Sequence, residues 1–212
     1  MIDITAPVSH ELPVWPNSPG WSLHRERWEK EGGLITNSIL TTDLHVGTHV
    51  EAPLHFLEGG HTVDEMGLSP LVGRAYVVHL PDAATIDSTV LESAGVPKGV
   101  RRLLIRTRNS GWWTTTPEFR PNYVALNESA SEWCVDRQLT LVGIDFLSVQ
   151  SRAATSETHR ILMRAGVTVL EGLNLAKAEP GYWQLVCLPI YLVGVEAAPA
   201  RAILLPLVET DD

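Results

Sequence analysis

Short runs of apolar and β-branched residues recur along the chain, and Gly, Pro, Asn or Asp residues separate them. Runs of this length with turn residues at their ends are typical of buried β-strands. The pattern therefore predicts strands at MIDIT, SILTTDL, RAYVVHL, RLLIRT, YVAL, TLVGI, VTVL, WQLVCL and AILLPLV.

Three stretches between these runs have the features of helices. Asp87 is a suitable N-cap for a helix that runs to Gly95, and residues 128–137 place their apolar side chains at helical spacing. Ser156 is a candidate cap for a third helix, and Gly166 is well placed to end it as a C′ residue. These boundaries predict three short helices in the middle and late chain.

The order of these elements indicates the fold class. Strands and helices alternate in the middle and late chain, which favours an α/β fold. The first third contains few helical patterns, so we expect a mixed sheet rather than a purely parallel one. The sequence shows no internal repeat and no low-complexity linker, which predicts one domain over residues 1–212.

The stretch HVGTHVEAPLHF, residues 45–56, holds three histidines and a glutamate. Gly47, Pro53 and the β-branched residues between them argue against a helix, so the segment is treated as extended. His45, His49 and Glu51 then share one face, with about 7 Å between His49 and Glu51. His45 would lie about 13 Å from His49, so convergence on one ion requires a bend, which Gly47 permits.

A second pair of candidate ligands lies in SETHRILMRAGVTVLEGLNL. His159 falls in the first turn of the predicted third helix, and Glu171 falls at the end of the strand after it. The helix would run away for about 10 Å and the strand would return for about 16 Å. An antiparallel return predicts that His159 and Glu171 lie on the same side of the domain.

Imidazoles and carboxylates together suit Zn²⁺, or Mn²⁺ where more oxygen ligands bind. The alternative is that these residues are ordinary polar side chains near a sheet edge, as we expect for His10, His24, His61 and His79. Other chemistries have less support, since the sequence lacks G-x-S-x-G, H-E-x-x-H, G-x-G-x-x-G and a P-loop.

Charge and composition exclude several classes of partner. The formal net charge of −9 disfavours binding to nucleic acid, because an acidic surface repels phosphates. The longest apolar stretch, LVCLPIYLVGV, is too short to span a bilayer, and no secretory signal is visible at the start. Cys134 and Cys187 form no CxxC pair. The sequence predicts a cytoplasmic protein that binds neither nucleic acid nor a membrane.

Several motifs in order resemble those of one family. HVGTHVEAPLHF closely resembles the H-x-G-T-H-x-D-A-P-x-H-F signature of the metal-dependent cyclase family, which includes bacterial kynurenine formamidase and isatin hydrolase. PVWPNSP, LVGIDFLSVQ, THRILMRAGVTVLEGLNL and LPIYLVGVEAAPARAIL are similar to further segments of that family. The resemblance covers nearly the whole chain and implies a swivelling β/β/α fold that assembles as a homodimer or homotetramer.

The resemblance also implies residue roles, carried over by motif position. His45, His49, Glu51, His159 and Glu171 would be metal ligands for one or two Zn²⁺ ions, with Mn²⁺ as the alternative. His55 would transfer a proton rather than bind metal. Trp15 would line the substrate pocket, although an aromatic side chain that packs a turn before Pro16 explains it nearly as well. Trp112 and Trp113 are further candidates for stacking on an aromatic substrate.

The implied activity is hydrolysis of an amide bond in an aromatic small molecule, foremost N-formylkynurenine to kynurenine and formate. One departure from the family pattern is Glu51, where the signature has Asp; the longer side chain leaves open the number of ions and the substrate class. The alternatives are a cyclase, dehydratase or lactone or lactam hydrolase that acts on a secondary metabolite, and a metal-stabilised binding protein without turnover. A pure binding protein has no need of a proton-transferring His55.

Overall fold

The computed structural model describes residues 1–30, 32–113, 118–153 and 157–207. The strands in these ranges are β1 (Ile2–Asp3), β2 (Trp21–Lys30), β3 (Gly33–Thr42), β4 (His49–Glu51), β5 (Val72–Leu80), β6 (Arg102–Thr107), β7 (Leu141–Ile144), β8 (Thr168–Glu171), β9 (Gly181–Pro189) and β10 (Ala197–Leu205). The helices are α1 (Ser88–Ser93), α2 (Glu128–Asp136) and α3 (Thr158–Arg164). Short 3₁₀ turns cover Pro53–His55, Val63–Glu65 and Arg108–Trp112.

All strands except β2 and β3 belong to one mixed sheet. Its order is β1-β10-β4-β8-β7-β6-β5-β9, and β10 also pairs with β9. The seven strands from β10 to β9 therefore close into a ring. Strands β5 to β8 run parallel to their neighbours within that group, whereas the contacts of β4, β9 and β10 are antiparallel. The predicted swivelling β/β/α fold with a mixed sheet is confirmed.

The central residues of the parallel strands β6 and β7 are apolar because both faces are buried there. In β6, Leu103 and Ile105 pack in the cluster with the helices, whereas Leu104 points into the cluster inside the ring. In β7, Val142 packs in the cluster with the helices and Leu141 packs in the cluster inside the ring. A parallel sheet covered on both faces reads as a continuous hydrophobic run, which is the pattern that predicted these strands.

The helices cover one side of the parallel strands and begin where the sequence predicts, as far as the described residues test it. The Asp87 side chain accepts a hydrogen bond from the backbone N–H of Val90, so Asp87 is the N-cap of α1. The proposed cap Ser156 lies outside the described residues. No helix in the described ranges combines the length and the apolar character that crossing a membrane requires.

Two predictions about strands were wrong. YVAL forms no strand; Leu126 makes only isolated bridges to Ile86 and Gln150, because the chain turns at once into α2. The pattern also missed β2, whose residues are almost all exposed on both faces and therefore show no apolar run. Strands β2 and β3 form an antiparallel ribbon of ten residue pairs, here called the arm, which stands apart from the main sheet.

Candidate metal centre and active site

The candidate ligands lie where strands β4 and β8 and helix α3 meet. His49 and Glu51 are the two ends of β4, and the antiparallel register sets His49 directly opposite Glu171 of β8. His159 lies in the first turn of α3, and its Nε2 is 3.0 Å from Glu171 Oε1. The predicted return of the chain from His159 to Glu171 is thus present in the structure.

A left-handed bend brings His45 to the same place. Gly47 has φ of +69°, and His45 Nδ1 lies 3.2 Å from His49 Nε2. Gly172, with φ of +71°, packs so closely that a Cβ atom there would lie 1.9 Å from the Gly47 carbonyl oxygen. The Thr48 hydroxyl donates a hydrogen bond to the Gly172 carbonyl. These contacts fix the bend beside the end of β8.

The five side chains divide into two groups that share Glu51. His45, His49 and Glu51 bring their donor atoms within 4.8 Å of one another, and Glu51, His159 and Glu171 do the same. Glu51 Oε1 is 3.3 Å from His45 Nδ1, and Glu51 Oε2 is 3.1 Å from His159 Nε2. One oxygen of Glu51 therefore faces each group.

Neighbouring groups set the orientation of the buried imidazoles. His49 Nδ1 lies 3.0 Å from the Gly47 carbonyl oxygen, which accepts only, so Nδ1 carries the proton and Nε2 points to Glu171 and Glu51. His159 Nδ1 lies 3.3 Å from the side-chain oxygen of Gln150, which leaves its Nε2 to the carboxylates. Glu171 Oε1 also accepts a hydrogen bond from the backbone N–H of Val149. Hydrogen bonds of this kind commonly orient metal-binding histidines.

Burial and charge act against each other in this cluster. Burial alone would lower the pKa of His49 and His159, but the charges and hydrogen bonds of Glu51 and Glu171 outweigh it and raise each pKa to about 10. Burial likewise raises the pKa of a carboxyl, yet the charge of His159 and the close His45 and His49 imidazoles hold the pKa of Glu51 well below its usual value. The two buried carboxylates therefore require positive charge close by.

This donor set fits a divalent cation. Glu51 Oε2 is buried and has no hydrogen-bond partner among the described residues; His159 Nε2 is near, but not in hydrogen-bond geometry. A buried carboxylate oxygen that no donor satisfies is unusual and costly. Three imidazoles and two carboxylates around it are the ligand types that bind Zn²⁺ and Mn²⁺.

His55 lies beside the cluster but in neither donor group. It ends the 3₁₀ turn after β4, and its Nε2 is 3.6 Å from Glu51 Oε1. Its ring lies 4.2 Å from the ring of His45 and 4.4 Å from that of Phe56, measured between centroids. The side chain is 31% exposed, and burial lowers its pKa. The role of His55 in proton transfer stays a prediction.

Four of the five candidate ligands, namely His45, Glu51, His159 and Glu171, line a cavity of about 490 Å³, here called the site cavity. Trp15 lies in its wall, where its ring meets Phe119 edge-on at 5.3 Å and Tyr123 at 6.4 Å. Trp112 and Trp113 do not line it, so the expectation that they stack on a substrate was wrong. Both pack against Phe146, and the indole N–H of Trp113 donates to the Leu173 carbonyl.

The sequence did not reveal several residues of this region. Asp43, Gln150 and Arg152 line the site cavity. Glu196, which precedes β10, places Oε1 3.6 Å from His45 Nε2. Asp43 and Gln150 stand at the edges of recognisable motifs and a wider reading of those motifs would have included them. Arg152 and Glu196 carry no periodic or motif signal.

Comparisons with known proteins agree with this geometry. A family model described as "Putative cyclase" matches residues 2–151. Cyclase-like protein 2 of Arabidopsis thaliana is 36% identical over 96% of this chain and 78% of its own length. Kynurenine formamidase of Geobacillus thermodenitrificans is 34% identical over 96% of both chains. The structure of a predicted metal-dependent hydrolase from Bacillus stearothermophilus superposes with a TM-score of 0.79, at 33% identity over 96% of both chains.

Proposed function

Because the chain belongs to the putative cyclase family, we propose that it is a metal-dependent hydrolase acting on the carbon–nitrogen bond of an amide. The formamidase relative supports this reaction class. We propose that the substrate is a small aromatic amide, foremost N-formylkynurenine, whose hydrolysis yields kynurenine and formate. One observation carries the proposal. Glu51 belongs to both groups of metal-ligating side chains, and it lines a cavity whose wall includes the aromatic side chain of Trp15.

The ligands would be His45, His49, Glu51, His159 and Glu171. Zn²⁺ suits this mixture of nitrogen and oxygen donors, and Mn²⁺ is the alternative. Since one Glu51 oxygen faces each donor group, Glu51 would be a ligand in either group, for one ion or for two. When bound, a divalent ion would supply a Lewis acid that lowers the pKa of water and polarises an amide carbonyl.

The remaining groups of the chain position the substrate and move a proton. His55 Nε2 faces the cavity beside Glu51, so it can accept a proton there and deliver it to the leaving nitrogen. Trp15 offers a ring face or edge to an aromatic substrate. Gln150 and the Gly47 carbonyl keep the His159 and His49 imidazoles turned to the carboxylates.

We also propose that the chain forms a homo-oligomer through the arm. An isolated two-stranded ribbon is marginally stable in water, yet the arm carries large apolar side chains on both faces. The exposed ones are Leu23, Trp28, Leu34, Ile35, Ile39 and Leu40. Packing against a second copy of the chain would cover them.

The first experiment measures hydrolysis of N-formylkynurenine by the purified chain as isolated, after chelation, and after addition of Zn²⁺ or Mn²⁺. We expect activity that chelation removes and one of the two ions restores. Activity that survives complete removal of metal would contradict the metal-dependent mechanism. A metal-loaded chain that opens the lactam isatin but leaves N-formylkynurenine intact would retain the hydrolase class and overturn the assignment of the formamide.

A further inference from the structure

The site cavity holds an uneven set of charges. Its described lining includes the carboxylates of Asp43, Glu51 and Glu171, and Arg152 is the only lysine or arginine among those lining residues. Glu51 and Glu171 lie buried in the ligand cluster, where imidazoles already compensate them. The Arg152 guanidinium, in contrast, is the one permanent positive charge that this lining offers to a bound molecule.

Arg152 stands where it can meet the far end of a substrate. It follows Gln150 by two residues, and Gln150 contacts His159 of the cluster. The Arg152 guanidinium carbon lies 5.6 Å from the centre of the Phe119 ring, and Phe119 packs edge-on against Trp15. The cation therefore borders the aromatic wall, and it forms no ion pair with the described ligand carboxylates.

Among the described residues, no carboxylate pairs with the Arg152 guanidinium. In the described part of the chain, Arg152 takes part in no ion pair, whereas Arg160, Arg164 and Arg201 each pair with a carboxylate. An arginine matches a carboxylate with two parallel N–H···O bonds, which makes it selective for planar anions. Outside the ligand cluster and His55, the other charged side chain of the lining is Asp43, which would repel an anion.

We infer that the substrate of this chain carries a carboxylate remote from the scissile amide, and that Arg152 binds this carboxylate while Trp15 contacts the aromatic ring. The inference rests on the proposed amide hydrolysis and narrows its substrate class to aromatic amides with an acidic side arm. Arg152 determines specificity and takes no part in the bond-breaking step. Neutral formanilides and neutral lactams lack the group that it recognises.

Binding tests the inference without any turnover. The probes are 4-oxo-4-phenylbutanoate and its neutral amide, titrated into the metal-loaded chain and followed by tryptophan fluorescence and by calorimetry. We expect the acid to bind about tenfold more tightly than the amide, the ratio that one charge-assisted hydrogen bond gives. Arg152→Gln removes this preference, and Arg152→Lys retains part of it. Arg164→Gln, an exposed arginine outside the cavity, leaves the preference unchanged.

Equal affinity of wild type for the acid and the amide, or an undiminished preference in Arg152→Gln, would overturn the inference. Loss of binding of both probes in Arg152→Gln would do the same, because it would show a structural role for the side chain.

Turnover separates this inference from the proposed function. The substrates are N-formylkynurenine and its α-carboxamide, and the amine product is measured. Arg152→Gln should raise KM for the acid about tenfold with kcat nearly unchanged, since the contact is equal in ground and transition states. KM for the carboxamide should not change. If wild type hydrolyses neither compound, the formamide assignment fails, while the binding preference still decides the role of Arg152.

Discussion

Glu51 differs from the other candidate ligands in its place within the cluster. It is the end residue of β4, it belongs to both donor groups, and one of its buried oxygens lacks a hydrogen-bond partner among the described residues. A glutamate reaches further than the aspartate of the family signature. In this chain the longer side chain still brings one oxygen to His45 and the other to His159.

Replacement of Glu51 by Gln should abolish high-affinity metal binding. The amide keeps the shape but removes the negative charge, so we expect the Zn²⁺ affinity to fall by more than about a hundredfold. Competition with a chelating dye measures this directly. In wild type, Zn²⁺ at about a hundred times its Kd should stabilise the fold by about 2.7 kcal/mol, seen as a rise in Tm. Glu51→Gln should lose this rise, whereas Glu58→Gln, an exposed neighbour, should keep it. An unaltered affinity would remove Glu51 from the ligand set.

Replacement of His55 by Ala should separate metal binding from turnover. His55 lies outside both donor groups, so the metal content of the variant should equal that of wild type. Loss of a proton-transferring group typically lowers kcat by about 10² to 10⁴. Metal analysis and steady-state kinetics on the same preparation measure both quantities. His61→Ala, an exposed histidine outside the site cavity, is the control. Retained turnover in His55→Ala would exclude His55 from the reaction.

At the residue scale, the sequence could predict the side chains that follow a pattern. His45, His49 and Glu51 share the parity of an extended segment, and the length of α3 and β8 brings His159 back to Glu171. The family resemblance then supplied roles that spacing alone leaves open. Arg152 was missed because a single arginine in a loop has no periodicity, and only the folded chain shows that Phe119 lies beside it.

At the scale of elements, Gly172 couples the bend at Gly47 to the end of β8. Gly172→Ala should destabilise the fold and weaken Zn²⁺ binding together, because the new Cβ would overlap the Gly47 carbonyl, and the Gly47 bend holds His45. Gly95→Ala is a matched control, with φ of +67° and no atom within 4 Å of its new Cβ. The control should show only the left-handed backbone cost of about 1–2 kcal/mol. Denaturant unfolding and chelator competition measure the two effects, and equal destabilisation with unchanged affinity would refute the coupling.

The sequence predicted best those strands whose two faces are both buried, because their residues are then apolar without interruption. The central residues of β6, β7 and β8 are buried on both faces, so their apolar composition alone predicts these strands. YVAL has the same composition but a different environment, because one bridged residue precedes the cap of α2. Strand β2 mixes charged and apolar residues and finds its pairing partner only in β3. The pattern of apolar residues within one strand does not show which other strand will pair with it.

At the scale of the whole molecule, the arm is a separate two-stranded sheet with exposed apolar side chains on both faces. Ten residues per strand give a ribbon about 34 Å long, and two strands make it about 10 Å wide, so its two faces together offer on the order of 700 Å². A specific interface of standard size needs about 800 Å² from each partner. Both faces of the arm together approach that area, whereas one face alone provides less than half of it, so a dimer that buries one face would also bury surface outside the arm.

Disruption of one face of the arm should separate the subunits. Trp28 pairs across the arm with Ile35, and Ile39 lies on the same face four residues away, so Ile35→Arg places a charge on a face that carries exposed apolar side chains. The mass in solution, measured by light scattering during size exclusion, should fall from that of a dimer or larger assembly to that of one chain. Leu68→Arg changes an exposed apolar side chain outside the arm and should leave the mass unchanged. A wild-type protein that is already a single chain at micromolar concentration would contradict the proposal, as would an Ile35→Arg variant that keeps its mass. Because the arm leaves the body beside Asp43, which lines the site cavity, the kinetics of the separated chain would also show whether the partner contributes to turnover.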